Sequence, residues 1–448
     1  MVPPSRRMPM MTTGDRTCSV SRNHHPNLWP PFTSITTTPP LEQVVRGEGA
    51  VLYRAEGAPL IDAISSWWVT LHGHAHPVVA AAIADQAATL EQVIFAEFTH
   101  PQAERLAERL AERTGLDRVF FSDNGSTAVE VALKTAVQWW HNRGEARQQL
   151  IAFDGAYHGD TFGAMAVGAR SLFSEPFDPL LFPVTRIPWP HTHWNDLEVE
   201  RREQQALDAL EQALRTPTAG VILEPLVQGA GGMRIVRPQF LQAVEQRVRE
   251  AGSLLIADEV MAGFGRCGRL LASQRAGITP DLVALSKGLT AGFLPMGITL
   301  ASKAIFEEFL GNDPTKTLWH GHSFTANPLG CAAANASLDL LEAEPERHEQ
   351  FEQRHRPGLE RLARHPRVQR PRLCGTIAAF DLVTDGAQGY LNPAGKVLRQ
   401  LVRDQGVLIR PLGDVVYLLP PLCISDTQLD QCYDAIADGL DALPASTP

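Results

Sequence analysis

The sequence contains no continuous apolar run of 18 or more residues, which excludes a transmembrane helix. It also lacks an excess of positive charge. The chain has 40 Lys and Arg against 50 Asp and Glu, a net charge of −10 that argues against a nucleic-acid-binding protein. The N-terminus, "MVPPSRRMPMMTTGDRTC", has no apolar segment of the kind found in secretory signals. We therefore expect a cytoplasmic protein whose residues 1–26 form a poorly ordered extension.

Cysteine is sparse, and its pattern carries no motif. Six cysteines are scattered over 448 residues and none forms a C-x-x-C pair, so reduced thiols are expected. The histidines of His24–His25 and of "HTHW" (191–194) have no carboxylate or cysteine at ligand spacing, and no metal site is predicted. The chain also lacks low-complexity tracts and repeats of 20 to 50 residues.

The middle of the chain alternates short apolar runs with amphipathic segments, a pattern typical of βαβ units and a mostly parallel sheet. Helices are predicted over 76–95 and 102–114, the second closed by Gly115. The predicted strands are "RVFF" (118–121), "LIAF" (150–153), "GVILEP" (220–225), "LLIADEV" (254–260) and "LVAL" (282–285). These segments indicate one large α/β domain.

Different patterns flank this region. Residues 41–64 read as short antiparallel strands joined by glycine turns. After about residue 330 come an Ala-rich helix (331–343), a long polar helix, and short strands near 376–382, 407–410 and 415–419. We therefore expect four parts: an extension over 1–26, an N-terminal part of a small domain over 27–75, a large α/β domain over 76–340, and a C-terminal small α+β domain over 341–448.

Charged residues end three successive predicted strands of the large domain. Glu224, Asp258 and Lys287 are separated by intervals that each fit one βαβ step. In open α/β sheets ligands bind at the carboxyl ends of the strands, so these side chains are expected to face one cleft. A buried ion pair between Asp258 and Lys287 would explain these two residues, but not the Gly-rich and aromatic segments near them.

Pyridoxal phosphate is a cofactor that requires this combination of residues. It needs a lysine, a carboxylate for its ring nitrogen, an aromatic face for its ring and a helix end for its phosphate. Tyr157, in "DGAYHGD" (154–160), is the aromatic candidate. Gly125 and Ser126 lie at a strand-to-helix turn suited to a phosphate. Taken alone, Ser126 could be an ordinary N-cap and Tyr157 a structural loop residue.

A competing motif is "GFGRCG" (263–268), which matches the G-x-G-x-x-G pattern of dinucleotide-binding folds. In such a fold the motif opens a long helix directly after the first strand. Here it follows "DEVMA" deep in the chain and leads into another turn, so the dinucleotide interpretation is disfavoured.

Several motifs together resemble the class III, fold-type I pyridoxal-phosphate aminotransferases, over roughly residues 27–440. They are "SSWW" (65–68), "YHGDTFGAM" (157–165), "EPLVQGAGGM" (224–233), "ADEVMAGFGRCG" (257–268), "SKGLT" (286–290), "HGHSFTANPL" (320–329) and "IRPLGDVVYLLPP" (409–421). The resemblance implies a large domain with a mostly parallel seven-stranded sheet, a small α+β domain, and a homodimer with a shared active site.

The resemblance also assigns roles around the cofactor. Lys287 resembles the Schiff-base lysine and Asp258 the partner of the pyridine nitrogen. Tyr157 resembles the ring-stacking residue, and Gly125 with Ser126 the phosphate cradle. Ser323, where the family usually has Thr, resembles the phosphate contact contributed by the partner subunit.

A substrate pocket is implied as well. Trp67 and Trp68 resemble its walls, and Arg410 resembles the arginine that pairs with the substrate carboxylate. Gly321, Tyr417 and Asp160 also fall on family site positions. One departure is Phe32 in "PPFTS" (30–34), where the family usually has Tyr. The missing hydroxyl bears on the contact with the amino donor.

Within the family, "SSWW", "YHGDTFGAM" and "IRP…YL" narrow the resemblance to members that aminate 8-amino-7-oxononanoate in biotin biosynthesis, with S-adenosylmethionine as the donor. Lysine is the alternative donor, because of Phe32. Two wider alternatives are a transaminase of ornithine, 4-aminobutyrate or an ω-amino acid, and a catalytically silent pyridoxal-phosphate-binding protein. The "SSWW" pair and the context of Arg410 argue against the first, and the intact Lys, Asp and Tyr set against the second.

Overall fold

A mixed seven-stranded sheet forms the centre of the fold in a computed structural model. The structure describes residues 25–444 except 26, 35, 37, 385–388, 390 and 391. The strands of this sheet are β4 (Arg118–Ser122), β5 (Gln149–Phe153), β6 (Thr185–Ile187), β7 (Thr218–Leu223), β10 (Leu254–Asp258), β11 (Leu282–Leu285) and β12 (Gly297–Ala301). Their order is β4–β12–β11–β10–β7–β5–β6. The five strands from β11 to β6 are parallel, and β12 runs antiparallel to both β11 and β4.

Three smaller sheets accompany it. Their strands are β1 (Val44–Glu48), β2 (Val51–Arg54), β3 (Leu60–Asp62), β8 (Val227–Gln228), β9 (Arg234–Ile235), β13 (Val368–Cys374), β14 (Ile377–Leu382), β15 (Val407–Leu408) and β16 (Val415–Leu418). The orders are β1–β2–β3–β15, β13–β14–β16 and β8–β9. Since β3 pairs with β15, the two ends of the chain share one sheet. This pairing supports the proposed small domain of residues 27–75 and 341–448 beside a large domain over 76–340.

Helices cover the sheets and connect their strands. They are α1 (Ser65–Trp68), α2 (Pro77–Ala87), α3 (Pro101–Thr114), α4 (Gly125–Asn142), α5 (Phe162–Val167), α6 (Val199–Leu214), α7 (Pro238–Glu250), α8 (Ala272–Ala276), α9 (Lys303–Glu307), α10 (Pro328–Ala343), α11 (Glu346–Glu349), α12 (Phe351–Leu362), α13 (Ala394–Asp404) and α14 (Asp426–Ala442). Short 3-10 helices span Glu175–Leu180, Lys287–Thr290 and Pro314–Lys316. None of the helices in the described ranges is both long and apolar enough to cross a membrane.

The core explains why the central strands read as continuous apolar runs. Every residue of β7, β10 and β11 is buried, because helices cover the parallel strands on both faces. Helix α4 packs against the sheet through Val129, Ala132 and Leu133, which belong to one buried cluster with Leu282 and Ala284 of β11. Burial on both faces leaves only the strand ends open to a ligand.

The predicted elements are confirmed with local differences. The antiparallel strands within 41–64 and the parallel α/β core are present, and α3 ends at Gly115 with a φ of 73°. The helix predicted over 76–95 is wrong beyond Ala87, where α2 ends and turns follow. The predicted extension over 1–26 lies outside the described residues except for His25, which is exposed.

Candidate active site

The three charged strand ends lie beside one another. Because β7, β10 and β11 are neighbours in the sheet, their carboxyl ends meet at one edge. Glu224, Asp258 and Lys287 all line a cavity of about 650 Å³ at that edge. The structure therefore brings together the three residues for which one cleft was expected.

Lys287 is held in an unusual backbone conformation at the end of β11. Its φ is 47°, in the left-handed region that residues other than glycine rarely adopt. Ser286 donates a 2.7 Å hydrogen bond from Oγ to Met296 O, which fixes the turn into the following 3-10 helix. A Cβ on Gly288 would lie 3.0 Å from Phe264 Cβ, so a side chain there would be tightly packed. The strain is typical of a functional residue held by its surroundings.

Burial and neighbouring charges set the protonation of Lys287. Burial lowers the pKa of the ammonium, and the carboxylates of Asp258 and Glu224 partly oppose this effect by raising it. Its Nζ lies 5.0 Å from the centroid of the Trp68 ring. A neutral amine at this position is therefore more accessible near neutral pH than for an exposed lysine.

Asp258 is paired with a histidine that the sequence reasoning missed. His158 Nδ1 lies 2.7 Å from Asp258 Oδ2, and both side chains are buried. Asp258 Oδ1 also accepts a 3.0 Å hydrogen bond from Val260 N. The carboxylate is thus fixed with one edge towards the cavity. The sequence shows that His158 follows Tyr157, but it does not show which way the His158 side chain points.

Glu224 orders the loop on the other side of the cavity. Its Oε2 accepts a hydrogen bond from Tyr157 N and its Oε1 one from Gly229 N, each 3.0 Å long. Burial raises the pKa of this carboxyl to about 7. Glu259, the next acidic residue after Asp258, points away from the cavity and accepts hydrogen bonds from Ala272 N and Ser273 N at the start of α8.

The amino end of α4 opens onto the same cavity. Asn124 caps the helix by accepting a 3.0 Å hydrogen bond from Thr127 N, and Gly125 and Ser126 line the cavity. A Cβ on Gly125 would lie 2.7 Å from Val260 Cγ1. Ser126 Oγ accepts a hydrogen bond from Asp160 N at 3.2 Å. Free backbone N–H groups at such a helix end suit a phosphate.

Gly159 is where this cradle is most easily disrupted. Its φ is 131°, and a Cβ there would overlap Ser126 Oγ. We expect Gly159→Ala to destabilise the fold by roughly 1–3 kcal/mol and to weaken retention of the cofactor phosphate. Thermal unfolding and equilibrium dialysis against pyridoxal phosphate measure the two effects.

Gly115→Ala is the matched control for that variant, because Gly115 also has a positive φ but nothing lies within 4 Å of its Cβ position. The Gly115→Ala variant should be less stable by about 1 kcal/mol and should bind the cofactor as tightly as the wild type. Equal cofactor affinity in the Gly159→Ala and Gly115→Ala variants would contradict the cradle.

A second cavity of about 910 Å³ continues from the first. The two share Trp68, Tyr157, Asp160 and Lys287, with Val69 and Gly159. Tyr157 is 38% exposed, so its ring lies between the two spaces. Burial, followed by the charge and hydrogen bond of Asp160, raises the pKa of its hydroxyl. The phenol stays neutral at any physiological pH.

The two tryptophans of "SSWW" have different environments. Trp68 is buried and donates a 3.0 Å hydrogen bond from Nε1 to the hydroxyl of Tyr417. Tyr417 is buried behind Trp68 and is not among the described residues that line either cavity. Trp67 lines the second cavity and is 38% exposed. The φ angles of Trp67 and Trp68 are 90° and 71°, which no sequence pattern could predict.

Trp67 is the centre of an aromatic and cationic group at the mouth of the second cavity. The Phe32 ring packs edge-on against it with centroids 5.6 Å apart, and also against Phe173 at 5.8 Å. Arg410 places its guanidinium 4.6 Å from the Trp67 ring centroid. Stacking on an aromatic face orients this cation without neutralising it.

Gly321 and Ser323 are apart from both cavities. Both are exposed, and neither is among the described residues that line a cavity. Ser323 contacts its own chain through its carbonyl, which accepts a 2.8 Å hydrogen bond from Gln92 Nε2. This placement agrees with the expectation that Ser323 contacts the phosphate bound by the partner subunit. That contact stays a prediction.

The first cavity fits pyridoxal phosphate. A helix amino end with a glycine cradle lies at one side, a buried carboxylate is backed by His158, and Tyr157 and Lys287 complete the wall. Gly125 and Ser126 would hold the phosphate, Asp258 the ring nitrogen and Lys287 the carbonyl carbon. No group of three or more His, Cys, Asp or Glu in the described chain could hold a metal ion.

The competing "GFGRCG" segment lies in turns between β10 and α8 and opens no helix. Within it, Arg266 is buried and donates to Pro420 O at 2.8 Å and to Thr70 O at 3.3 Å. Gly265 allows the segment to pack closely against His348, since a Cβ on Gly265 would lie 2.9 Å from the His348 ring. The segment therefore has a structural explanation without a dinucleotide.

Comparison with known proteins agrees with this site. The family model described as "Aminotransferase class-III" matches residues 33–440. A protein of Synechococcus elongatus named adenosylmethionine-8-amino-7-oxononanoate aminotransferase is 60% identical over 422 residues, covering 94% of this chain and 99% of the relative. A Geobacter sulfurreducens protein of the same name is 40% identical, covering 92% and 94%.

Two solved structures of transaminases have the same fold as this chain. The crystal structure of adenosylmethionine-8-amino-7-oxononanoate aminotransferase from Methanocaldococcus jannaschii superposes with a TM-score of 0.87 at 30% identity, covering 93% of this chain and 97% of that one. An amine transaminase from an uncultivated Pseudomonas species, solved with its pyridoxal phosphate bound, gives 0.88 at 31% identity and covers 94% and 100%.

Proposed function

This chain belongs to the class III aminotransferase family, and we propose that it transfers the amino group of S-adenosylmethionine to the ketone of 8-amino-7-oxononanoate. The product is 7,8-diaminononanoate, an intermediate of biotin biosynthesis. The observation that carries the proposal is the cavity in which Lys287, Asp258 and Tyr157 meet beside the amino end of α4. The chain is an enzyme whose cofactor is pyridoxal phosphate.

Lys287 is the proton-transfer residue of the proposed reaction. When bound, the cofactor supplies an electron sink that stabilises negative charge on the substrate carbon that loses its proton. The lysine amine would take that proton and return it to the cofactor carbon bonded to the transferred nitrogen, which general acid–base groups do best with a pKa near the working pH. Burial moves the pKa of Lys287 in this direction by lowering it.

The other residues of the cavity would hold and orient the cofactor. Asp258 keeps negative charge where the ring nitrogen would lie, and His158 at 2.7 Å fixes the direction of that carboxylate. Tyr157 presents a ring face, and its loop is tied to Glu224 by the hydrogen bond to its backbone N–H. Buried Trp68 closes the cavity on one side and excludes water there.

The second cavity supplies room for both substrates. Trp67 and Phe32 give it apolar walls. Arg410, which stacks on Trp67 without lining the cavity itself, is the cation that would pair with a substrate carboxylate. An aromatic face also suits the sulfonium of S-adenosylmethionine. Phe32 has no hydroxyl, and this observation supports lysine as a second candidate donor.

A homodimer with a shared active site is part of the proposal. Ser323 and Gly321 lie outside the cavities of their own chain, in a segment that also exposes Trp319 (75%) and Phe324 (61%). Exposed large apolar side chains in one segment are typical of an interface. In a dimer this segment would bring the Ser323 hydroxyl to the partner's phosphate. We also place the reaction in the cytoplasm, for which the free thiols of Cys267, Cys331, Cys374, Cys423 and Cys432 are suited.

The experiment that tests the proposal supplies 8-amino-7-oxononanoate with S-adenosylmethionine or with lysine and detects the product by mass spectrometry. We expect diaminononanoate with S-adenosylmethionine, since the site carries the aromatic faces and the cation that this donor needs. Product with lysine alone would move the donor assignment to the second candidate. Absence of product with both donors would contradict the proposed substrates.

A further inference from the structure

The second cavity has a cationic region that the proposed roles do not use. His191, Arg234, Arg370 and Arg372 line it together with Asp381 and Asp414. Arg372 is buried and donates to Met233 O and Gly232 O, each at 2.7 Å. These two carbonyls directly precede Arg234 in the chain. The region is therefore built around the "GGMR" segment (231–234), which follows β8 and enters β9 at Arg234.

Most charges of this region are already compensated. Asp381 pairs with Arg372 at 2.8 Å and with Arg370 at 3.4 Å. Asp414 makes no ion pair with a described residue, and its carboxylate accepts a 3.1 Å hydrogen bond from Gly389 N. His191 is neutral at physiological pH, because burial and then the cations of Arg234 and Arg372 lower its pKa to about 4.

Arg234 is the cation of this region that has no anionic partner among the described residues. Its guanidinium makes no ion pair or hydrogen bond with any described residue, although it is only partly exposed and lines the cavity. A Cβ on Gly155 would lie 2.5 Å from Arg234 Nη1 and 2.9 Å from Gln228 Oε1, so the guanidinium lies at the loop that carries Tyr157. Gln228 Oε1 is itself buried without a partner. A partly buried cation without an anion favours an anionic ligand.

The chemistry of the proposed substrates calls for two carboxylate sites. In S-adenosylmethionine the carboxylate is one bond from the reacting carbon. In 8-amino-7-oxononanoate it is six bonds away, which is roughly 7 Å in an extended chain. Because both reacting carbons must reach Lys287, one fixed guanidinium cannot meet both carboxylates. Two guanidiniums without an ion pair to a described residue are at hand: Arg234 lines the cavity beside Gly155, and Arg410 is not among the lining residues but stacks on Trp67, which is.

Resting on the proposed function, we propose that Arg234 binds the carboxylate of one of the two substrates and that Arg410 binds that of the other. Planar guanidinium groups pair with carboxylates in a bidentate manner, which gives orientation as well as affinity. Arg234 is then a residue that determines specificity for one half of the reaction.

The two half-reactions, each followed by rapid-mixing absorbance of the bound cofactor, test this division. We expect Arg234→Gln to lower the second-order rate constant of one half-reaction by roughly 10- to 100-fold and to leave the other within twofold. Arg410→Gln should affect the opposite half-reaction. Arg234→Lys keeps the charge and should recover part of the loss. Arg201→Gln, which removes an exposed arginine on α6, is the control for net charge.

Substrates without the carboxylate identify which one Arg234 binds. The two probes are decarboxylated S-adenosylmethionine and the methyl ester of 8-amino-7-oxononanoate. For the substrate that Arg234 binds, removing the carboxylate should lower the rate constant of the wild type by the same factor as Arg234→Gln does. The Arg234→Gln variant should show no further decrease with that probe. Equal losses in both half-reactions, or none in either, would overturn the inference while wild-type product formation still upholds the proposed function. A wild type inactive with both substrates would instead refute the function itself.

Discussion

The Lys287→Ala variant is expected to lose transamination almost completely. Proton transfer by a positioned side chain contributes roughly 10²- to 10⁴-fold on its own, and the proposed role of Lys287 includes holding the cofactor as well. Stopped-flow measurement of each half-reaction gives the loss of rate. Mass spectrometry after borohydride reduction should find the cofactor mass on a peptide containing Lys287 in the wild type and no such mass in the variant.

Lys303→Ala is the matched control, because Lys303 is a lysine whose side chain is 69% exposed on α9. Its half-reactions should match those of the wild type. Lys287→Ala with unchanged half-reactions would show that another group moves the proton, and the assignment of Lys287 would then be wrong.

Asp258→Asn should cause the second-largest loss. The change keeps the shape of the side chain but removes the negative charge 2.7 Å from His158 Nδ1, beside the expected ring nitrogen. Preorganised charge of this kind is worth roughly 10²- to 10³-fold in kcat. The Asp258 carboxylate also raises the pKa of Lys287, whose amine must be neutral to take a proton, so its removal should move the acidic limb of the pH–rate profile to lower pH.

The pH–rate profiles of Asp258→Asn and of Asp208→Asn separate this effect from a general change of charge. Asp208 is exposed on α6 and lines neither cavity, and its variant should retain the wild-type profile. If Asp258→Asn kept both the rate and the position of the acidic limb, Asp258 would not be the partner of the cofactor.

The arrangement of Glu224, Asp258 and Lys287 was predictable because strand order constrains it. Parallel strands joined by right-handed crossovers bring their carboxyl ends to one edge, and a charged residue after a buried strand has few other places to lie. The same reasoning placed Gly125 and Ser126 at the amino end of α4. Each of these residues lines the cavity.

His158 and Arg234 were not predictable in the same way. Both depend on where a loop residue points after the chain has folded, since His158 reaches across to β10 and Arg234 to the loop after β5. Left-handed backbone at Trp67, Trp68 and Lys287 is likewise imposed by packing and not by residue type. Composition gives no signal for any of these features.

The prediction of secondary structure was wrong where the local sequence pattern and the tertiary contacts disagree. The apolar residues at 89–95 continue the helical spacing of α2, yet the chain leaves the helix at Ala88 and Phe95 packs edge-on against Phe121 of β4. β12 was missed because "GITLA" is short and follows a Gly- and Pro-containing turn. Its antiparallel pairing with β4 and β11 depends on residues far away in sequence.

The central claim is that the amino group passes from donor to protein-bound cofactor and then to 8-amino-7-oxononanoate. A single-turnover experiment with S-adenosylmethionine carrying ¹⁵N in its amino group tests this most directly. The loaded protein is mixed with the labelled donor, separated from it by gel filtration, and then given the unlabelled acceptor. The account predicts one ¹⁵N atom at the carbon of diaminononanoate that had been the ketone. Product without ¹⁵N, or no product after the donor has been removed, would contradict it.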